Sequence, residues 1–560
     1  MLEAQDLSGA KRSQTDSSSP RDGATGVAYA AGMIGALAGI IALVLLVSAP
    51  AFLSPSEDAT ILFRYSENFA RSFRISYNLN GPRTEGATDF LFMIALGLLN
   101  IAHVPPFVSA CVLNAIALLA TSVILQRISG APLSLMRTLW ISALLFLSPQ
   151  AAAALGGFSV FVVGAGIALT AYYYLQRDDR RMGLSGLFLC LLRPDGLLIA
   201  GPLMALRLAA SSERSRVALT YLVLFILPGL AFFVWRALYF SELMPLPYLV
   251  KSDTPRILGL VVASSASRAA SYLLPMATIL CVALGDRLRE RRNLELIAAL
   301  LLFPAAGYCY FRLDQNVADR FFFFAIIGTA VIVAANRSGR TNSSAILIIS
   351  GLLVFGWSML APKWWSGIRA GLLGSRSNVH EIAADIRKHH LFGRMAVTEA
   401  GQIAYYTGWE TTDLWGLNTP EFARHLPRAA DVDRLGADLV VVHPSDDVDP
   451  RACVERAVES TARIDRRDWA NLVMNAIAGS PLDRYYVLLA PSDSDRLRRA
   501  DDLAVGSGDY LCFFVRKQYP GARALLEVLK RHGAVDGADF MKMRKDENED
   551  EDEDEEDSGL

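Results

Sequence analysis

Two adjacent carboxylates, Glu57 and Asp58, follow the first long apolar run of this 560-residue chain. Placed at the mouth of a membrane helix, such a pair can divide one task. One acid takes the proton from a hydroxyl; the other orients that hydroxyl or offers oxygen ligands to a divalent cation. Acids in a first helical turn also answer the helix dipole without doing any chemistry. Other polar groups recur at the edges of apolar runs. Arg193-Pro194-Asp195-Gly196 interrupts one run, Tyr248 and Lys251 follow Pro245, and Arg312-Leu313-Asp314 with Asp319-Arg320 precede Phe321. Arg320 has the fork geometry to hold a phosphate, and Lys251 could meet one as a point charge. The plainer alternatives are an internal Arg193–Asp195 pair at a Pro-Gly break, an interfacial anchor at Tyr248 and Lys251, and a local ion pair at Arg320. His425 and His443 read as surface or packing residues. No Cys/His metal spacing, Gly-rich phosphate loop, serine elbow or nucleic-acid stripe stands out.

These groups need elements to carry them. The chain is 52% hydrophobic, and the apolar residues crowd into the region before about residue 361. Runs of that length suit a ~30 Å hydrocarbon core at 1.5 Å per helical residue. The expected fold is therefore a polytopic α-helical membrane protein of about eleven transmembrane helices, with a C-terminal α/β domain. The spans expected are residues 26–49, 87–101, 106–125, 139–155, 158–174, 184–206, 217–240, 269–284, 294–311, 321–335 and 345–360. Residues 1–25 read as a disordered cytoplasmic lead, 26–361 as the membrane domain with an outer loop at 54–86, and 362–540 as the α/β domain. Within the outer loop, Ile61, Leu62, Tyr65 and Phe69 have helical spacing, which predicts an amphipathic surface helix over 57–73. In the C-terminal part, short apolar runs at 395–398, 439–443, 485–489 and 510–515 predict strands, and 379–389 predicts a helix.

The formal net charge of -2 hides an asymmetry. Eleven of the acids lie between Asp546 and Asp557, in a low-complexity tail (541–560) that reads as disordered; the 45 acids that remain face 54 basic residues. A basic membrane protein suits anionic head groups and phosphates. Counting crossings puts Arg287, Arg289, Arg291 and Arg292 inside, as the positive-inside rule asks, but Arg177, Arg180 and Arg181 outside, against it. Cys453 and Cys512 could pair if their domain faces an oxidising compartment.

The run Glu57-Asp58-Ala59-Thr60-Ile61-Leu62-Phe63-Arg64-Tyr65, then Tyr77-Asn78 and Arg83-Thr84-Glu85-Gly86-Ala87-Thr88, resembles the first outer loop of GT-C glycosyltransferases, particularly the bacterial arabinofuranosyltransferase-like membrane enzymes. Arg193-Pro194-Asp195-Gly196, Tyr239-Phe240-Ser241-Glu242-Leu243-Met244-Pro245 with Tyr248 and Lys251, and Asp314 with Arg320-Phe321 resemble later motifs of that group. Glu399-Ala400-Gly401, Tyr405-Tyr406 and Asp413-Leu414-Trp415-Gly416-Leu417 extend the likeness, which spans Gly26 to Val442. It implies an inverting transfer from a polyprenyl-phosphate sugar (arabinofuranose by analogy) to an envelope glycan or lipid acceptor in the bacterial inner membrane, with the C-terminal domain periplasmic. It implies catalysis by Glu57 and Asp58, donor phosphate binding by Lys251, Arg320 and Arg193, and substrate contacts from Arg64, Glu85, Tyr248 and Asp314. The chain departs from the group at Glu57, where Asp is usual, at Ser159, where many members carry Glu, and at Leu246, where Asn is usual. A lipid-linked sugar transporter or an oligosaccharide ligase is the alternative expectation.

Overall fold

The structure is a computed structural model describing residues 21–252, 261–311, 313, 316–336, 377–425, 427–443, 484–491, 510–539 and 542. The expected last span at 345–360, the acidic run from Asp546 to Asp557, Asp314 and Cys453 lie outside the described residues. What is described is a membrane-embedded helical bundle followed by a region built on a sheet. Among the described residues, five helices are long and apolar enough to cross a membrane: Gly32–Phe52, Pro106–Ile128, Arg214–Phe240, Ala263–Arg289 and Val317–Ala335. The count of eleven is thus an expectation that these five meet only in part.

Helix α1 (Arg21–Phe52) leads to α2 (Glu57–Ser72), the amphipathic helix expected, whose apolar side is buried. Helix α3 (Phe90–Ile101) has twelve residues, about 18 Å at 1.5 Å per residue. It does not cross to the far end of the bundle. It lies along α2, where Ser66 Oγ donates to the Met93 carbonyl at 3.0 Å, and a Cβ on Gly97 would meet Phe69 at 2.7 Å. The chain then re-enters at α4 (Pro106–Ile128), whose Phe107 ring sits 6.0 Å from Phe63 of α2. Helices α5 (Leu135–Phe146), α6 (Ala151–Leu155) and α7 (Val160–Gln176) follow.

The expected span 184–206 is instead two helices. Pro194 cannot continue α8 (Asp179–Leu192), and Arg193 is extended at φ -151°. A short 3-10 turn over Pro194–Gly196 starts α9 (Leu197–Ala210), and Gly196 fits because a Cβ there would meet the Leu189 carbonyl at 2.8 Å. The arms run antiparallel: Asp179 at the start of α8 is 2.9 Å from Arg207 near the end of α9. With α3 lying along α2 and this run folded into a hairpin, the described helices between the two run in the opposite sense to the one a simple count of apolar runs gives. Tyr174 at the end of α7 donates to Glu295 at 3.0 Å, which ties the Arg177–Arg181 turn to the same end as the Arg287–Arg292 turn. The conflict with the positive-inside rule disappears.

Helix α10 (Arg214–Tyr221) passes through a π turn at Leu222–Ile226 into α11 (Leu227–Phe240). After α12 (Leu246–Ser252) and α13 (Ala263–Leu284), helix α14 (Arg291–Ile297) repeats the device, with a π turn at Ala298–Leu302 before α15 (Phe303–Cys309). Both π turns end two residues before a proline, Pro228 or Pro304, whose ring and missing N–H disturb the preceding turn. A 3-10 segment, Val317–Phe322, opens α16 (Phe323–Ala335).

The C-terminal region holds a sheet of order β2-β1-β3-β5-β4-β6 among the described residues. The strands are β1 (Arg394–Val397), β2 (Glu410–Asp413), β3 (Leu439–Val442), β4 (Tyr485–Pro491), β5 (Tyr510–Arg516) and β6 (Val535–Asp536). β2, β1 and β3 are parallel; β3, β5, β4 and β6 pair antiparallel. Helices α17 (Asn378–Lys388) and α18 (Gln402–Thr407) pack beside it. The four apolar strands and α17 fall where their sequence pattern predicts. β2 escapes that pattern because Glu-Thr-Thr-Asp is polar and lies at the edge of the sheet. Asn78 of the outer loop closes this edge, exchanging two hydrogen bonds of 2.9 and 3.0 Å with the backbone of Thr411. Cys512 of β5 is disulfide-bonded.

Candidate functional site

One end of the bundle holds an open pocket of about 790 Å³, solvent at its mouth included. Its polar lining comes from helix ends: Asp58 from α2, Asp89 just before α3, Ser159 just before α7, Arg193 just after α8 and Arg320 just before α16. Helix ends supply polar side chains here because the intervening turns are apolar and packed in the core. Leu417 of the C-terminal region and Pro247 of α12 close one wall. The wall is set by Asp413, whose buried carboxylate accepts from the backbone N–H groups of Trp415 and Asn418, both at 2.8 Å. Burial pushes Asp413 up to about 6, opposed by those hydrogen bonds. Asn418 in turn presses on Gly86, where a Cβ would stand 1.9 Å from its Oδ1, so the segment leading to Asp89 is held close.

Arg320 lies 3.4 Å from Asp58 through Nη2. Its Nη1 is buried and has no hydrogen-bond partner among the described residues. The guanidinium sits 3.9 Å from the centre of the Phe158 ring and 4.9 Å from that of Phe321. Arg193 covers the same Phe321 ring at 4.5 Å, and its fork binds Asp195 at 3.0 and 2.6 Å. Tyr308 also donates to Asp195. Two cations stacked on one aromatic ring, with one N–H group to spare, form a place for an anion.

Asp58, Arg193 and Arg320, far apart in sequence, thus line one pocket. Glu57 does not join them. Its carboxylate accepts from the backbone N–H groups of Gly401 at 2.5 Å and Gln402 at 2.8 Å, tying α2 to the C-terminal region. Burial, with Glu399 adding to it, pushes Glu57 up to about 8. Arg64 is also spent on structure: it donates to the carbonyls of Tyr77 and Trp409 at 2.7 Å each and to that of Ala404. Glu85 pairs with Arg236 at 2.5 Å outside the pocket lining, and burial raises it to about 7 against the pull of that arginine. Tyr248 is 41% exposed on α12, its ring centre 6.1 Å from that of Phe311. Lys251 is the next-to-last residue of the same helix; its side chain, like Asp314, lies outside the described residues. No cluster of three potential metal ligands occurs among the described residues, and Glu57 and Asp58 point to different partners.

Sequence reasoning passed over Asp89. The signal available was an acid placed immediately before the apolar run Phe90–Ile101. Residues 374–490 match a family model described as a domain of unknown function (DUF8728). That match covers α17 through β4 and none of the pocket's helices. No curated protein matches the chain.

Proposed function

We propose that this protein is an inverting membrane glycosyltransferase that moves a sugar from a polyprenyl-phosphate donor to a hydroxyl of an envelope glycan or lipid. The observation that carries the reading is the pocket at one end of an apolar bundle, where a carboxylate faces two guanidiniums and Arg320 keeps an unpartnered N–H group. Charges at membrane depth are costly and are retained where they meet a partner or line a path. The pocket opens to solvent at one end of the apolar bundle, so a sugar phosphate head group can approach from that end while a polyprenyl chain stays in the lipid. The acceptor hydroxyl attacks the anomeric carbon as a pocket carboxylate takes its proton. The polyprenyl phosphate leaves against Arg193 and Arg320, which stabilise the charge that develops on it.

The turns carrying Arg177, Arg180, Arg181 and Arg287–Arg292 lie at the end away from the pocket, which supports a cytoplasmic basic end and a pocket on the outer face of the inner membrane. The disulfide at Cys512 supports an oxidising compartment for the C-terminal region. The test is a transfer assay on purified protein with a panel of polyprenyl-phosphate pentoses and hexoses. Turnover with one donor, reduced ~100-fold or more in Arg320→Ala, is expected from the loss of a charge-stabilising group. Silence across the panel with donor lipids still bound would overturn the reading in favour of a lipid-linked sugar transporter.

A further inference from the structure

We infer that Asp89, held by Ser159, is the carboxylate that takes the acceptor's proton, and that Asp58 serves to hold Arg320; the inference rests on the transferase reading above. Asp89 stands at the residue before α3 and Ser159 at the residue before α7, both positions where short polar side chains ordinarily cap a helix. Neither side chain makes a capping hydrogen bond. Instead Ser159 Oγ donates to Asp89 Oδ2 across the two helices, and both residues line the pocket. Two helices thus forgo their local caps in favour of one contact that fixes a carboxylate at the pocket wall.

The remaining pocket charges differ in how they are used. Asp58 is engaged by Arg320, which makes it a counter-ion. Arg193 is engaged by Asp195. Asp89 faces Arg193 and Arg320 in the same pocket, but among the described residues neither forms an ion pair with it, and its side-chain partner is a neutral hydroxyl. A carboxylate held through one oxygen by a neutral donor keeps its other oxygen free for a hydroxyl proton. In the step itself, the acceptor O–H bond breaks and its proton goes to Asp89. The bond from the acceptor oxygen to the anomeric carbon forms, the bond from that carbon to the phosphoryl oxygen breaks, and polyprenyl phosphate departs with both electrons, gaining one negative charge as Asp89 loses one. Bulk water then takes the proton from Asp89. Ser159 is a positioning residue in this scheme.

The experiment measures kcat, donor KM and the pH dependence of kcat/KM with the donor found active in the panel. Asp89→Asn is expected to lower kcat by ~100-fold or more at little change in donor KM, and to abolish the acidic limb of the pH profile. Asp58→Asn should chiefly raise donor KM and keep that limb. Ser159→Ala, which leaves the carboxylate in place, should lower kcat by about 10-fold, the scale of one hydrogen bond to a charged group. Should Asp89→Asn fail to fold, as read by thermal unfolding, the Ser159→Ala and Asp58→Asn pair still decides. An Asp89→Asn enzyme within about threefold of wild-type kcat, a Ser159→Ala enzyme unchanged in kcat, or loss of the acidic limb in Asp58→Asn overturns the assignment while leaving the transferase reading intact. A wild-type enzyme silent on every donor overturns both.

Discussion

Arg64 and Glu57 have the residue types of a catalytic site, and both serve as fasteners between the outer loop and the C-terminal region. Arg64 stacks at 4.6 Å over Tyr77 and sends its donors to three carbonyls and to Asn78. Lysine cannot reproduce that fork. Arg64→Lys should therefore destabilise the protein by roughly 2–3 kcal/mol, because several buried oxygens lose their donor at once, and thermal unfolding in detergent measures it. Glu57 makes a pH prediction. Its folded value, raised to about 8 mainly by burial, exceeds its ordinary value of 4.5, so the folded protein binds the proton more tightly than the unfolded chain does. Stability from this group is then full below about pH 4.5 and falls as pH rises through about 8, the reverse of the usual carboxylate. The unfolding temperature should decline across that window, and Glu57→Gln should flatten the decline. An equal slope in the variant would assign the effect elsewhere.

At the scale of elements, turns decide the site. Gly157 joins α6 to α7 with φ +95°, and a Cβ there would lie 2.6 Å from the Phe63 ring. Both the backbone and the space require glycine. Gly157→Ala should cost ~1–3 kcal/mol and, because this residue lines the pocket, weaken donor binding as well; unfolding and lipid-binding assays read the two effects separately. The hairpin at Arg193–Gly196 is the other decisive turn. Arg193–Asp195 is the internal pair expected at a Pro-Gly break, and its Arg193 also lines the pocket. The amphipathic helix and most strands were legible because periodicity is a local property. Edge strand β2 was not, since its stability comes from β1 and from Asn78 rather than from its own side chains.

For the whole molecule, inversion of the stretch between α3 and the α8–α9 hairpin has a direct consequence. In a background without the native free cysteines, Arg181→Cys and Arg289→Cys should react with a membrane-impermeant thiol reagent from the same side, and Glu410→Cys from the opposite side. With the proposed orientation, intact spheroplasts should label only Glu410→Cys, and all three should label after permeabilisation. Labelling of Arg181→Cys without permeabilisation would restore the simple count of crossings.

The sequence by itself determined that the chain is a helical membrane protein with a sheet-bearing C-terminal region, and it pointed to Asp58, Arg193 and Arg320. Apolar run length, strand patterning and charges stranded beside apolar runs are all readable without knowing what touches what. Only the tertiary structure decided which acid faces the pocket. Successive helical residues diverge by about 100°, so Glu57 and Asp58 cannot share a partner by adjacency alone. Asp58 finds Arg320 across 262 positions and Glu57 finds Gln402 across 345. The Asp89–Ser159 contact likewise joins two helix starts 70 positions apart. Such pairings depend on how helices turn and pack: the sequence marks a break at Arg193–Gly196 but not that the chain reverses there, and α3 looks locally like any other apolar run.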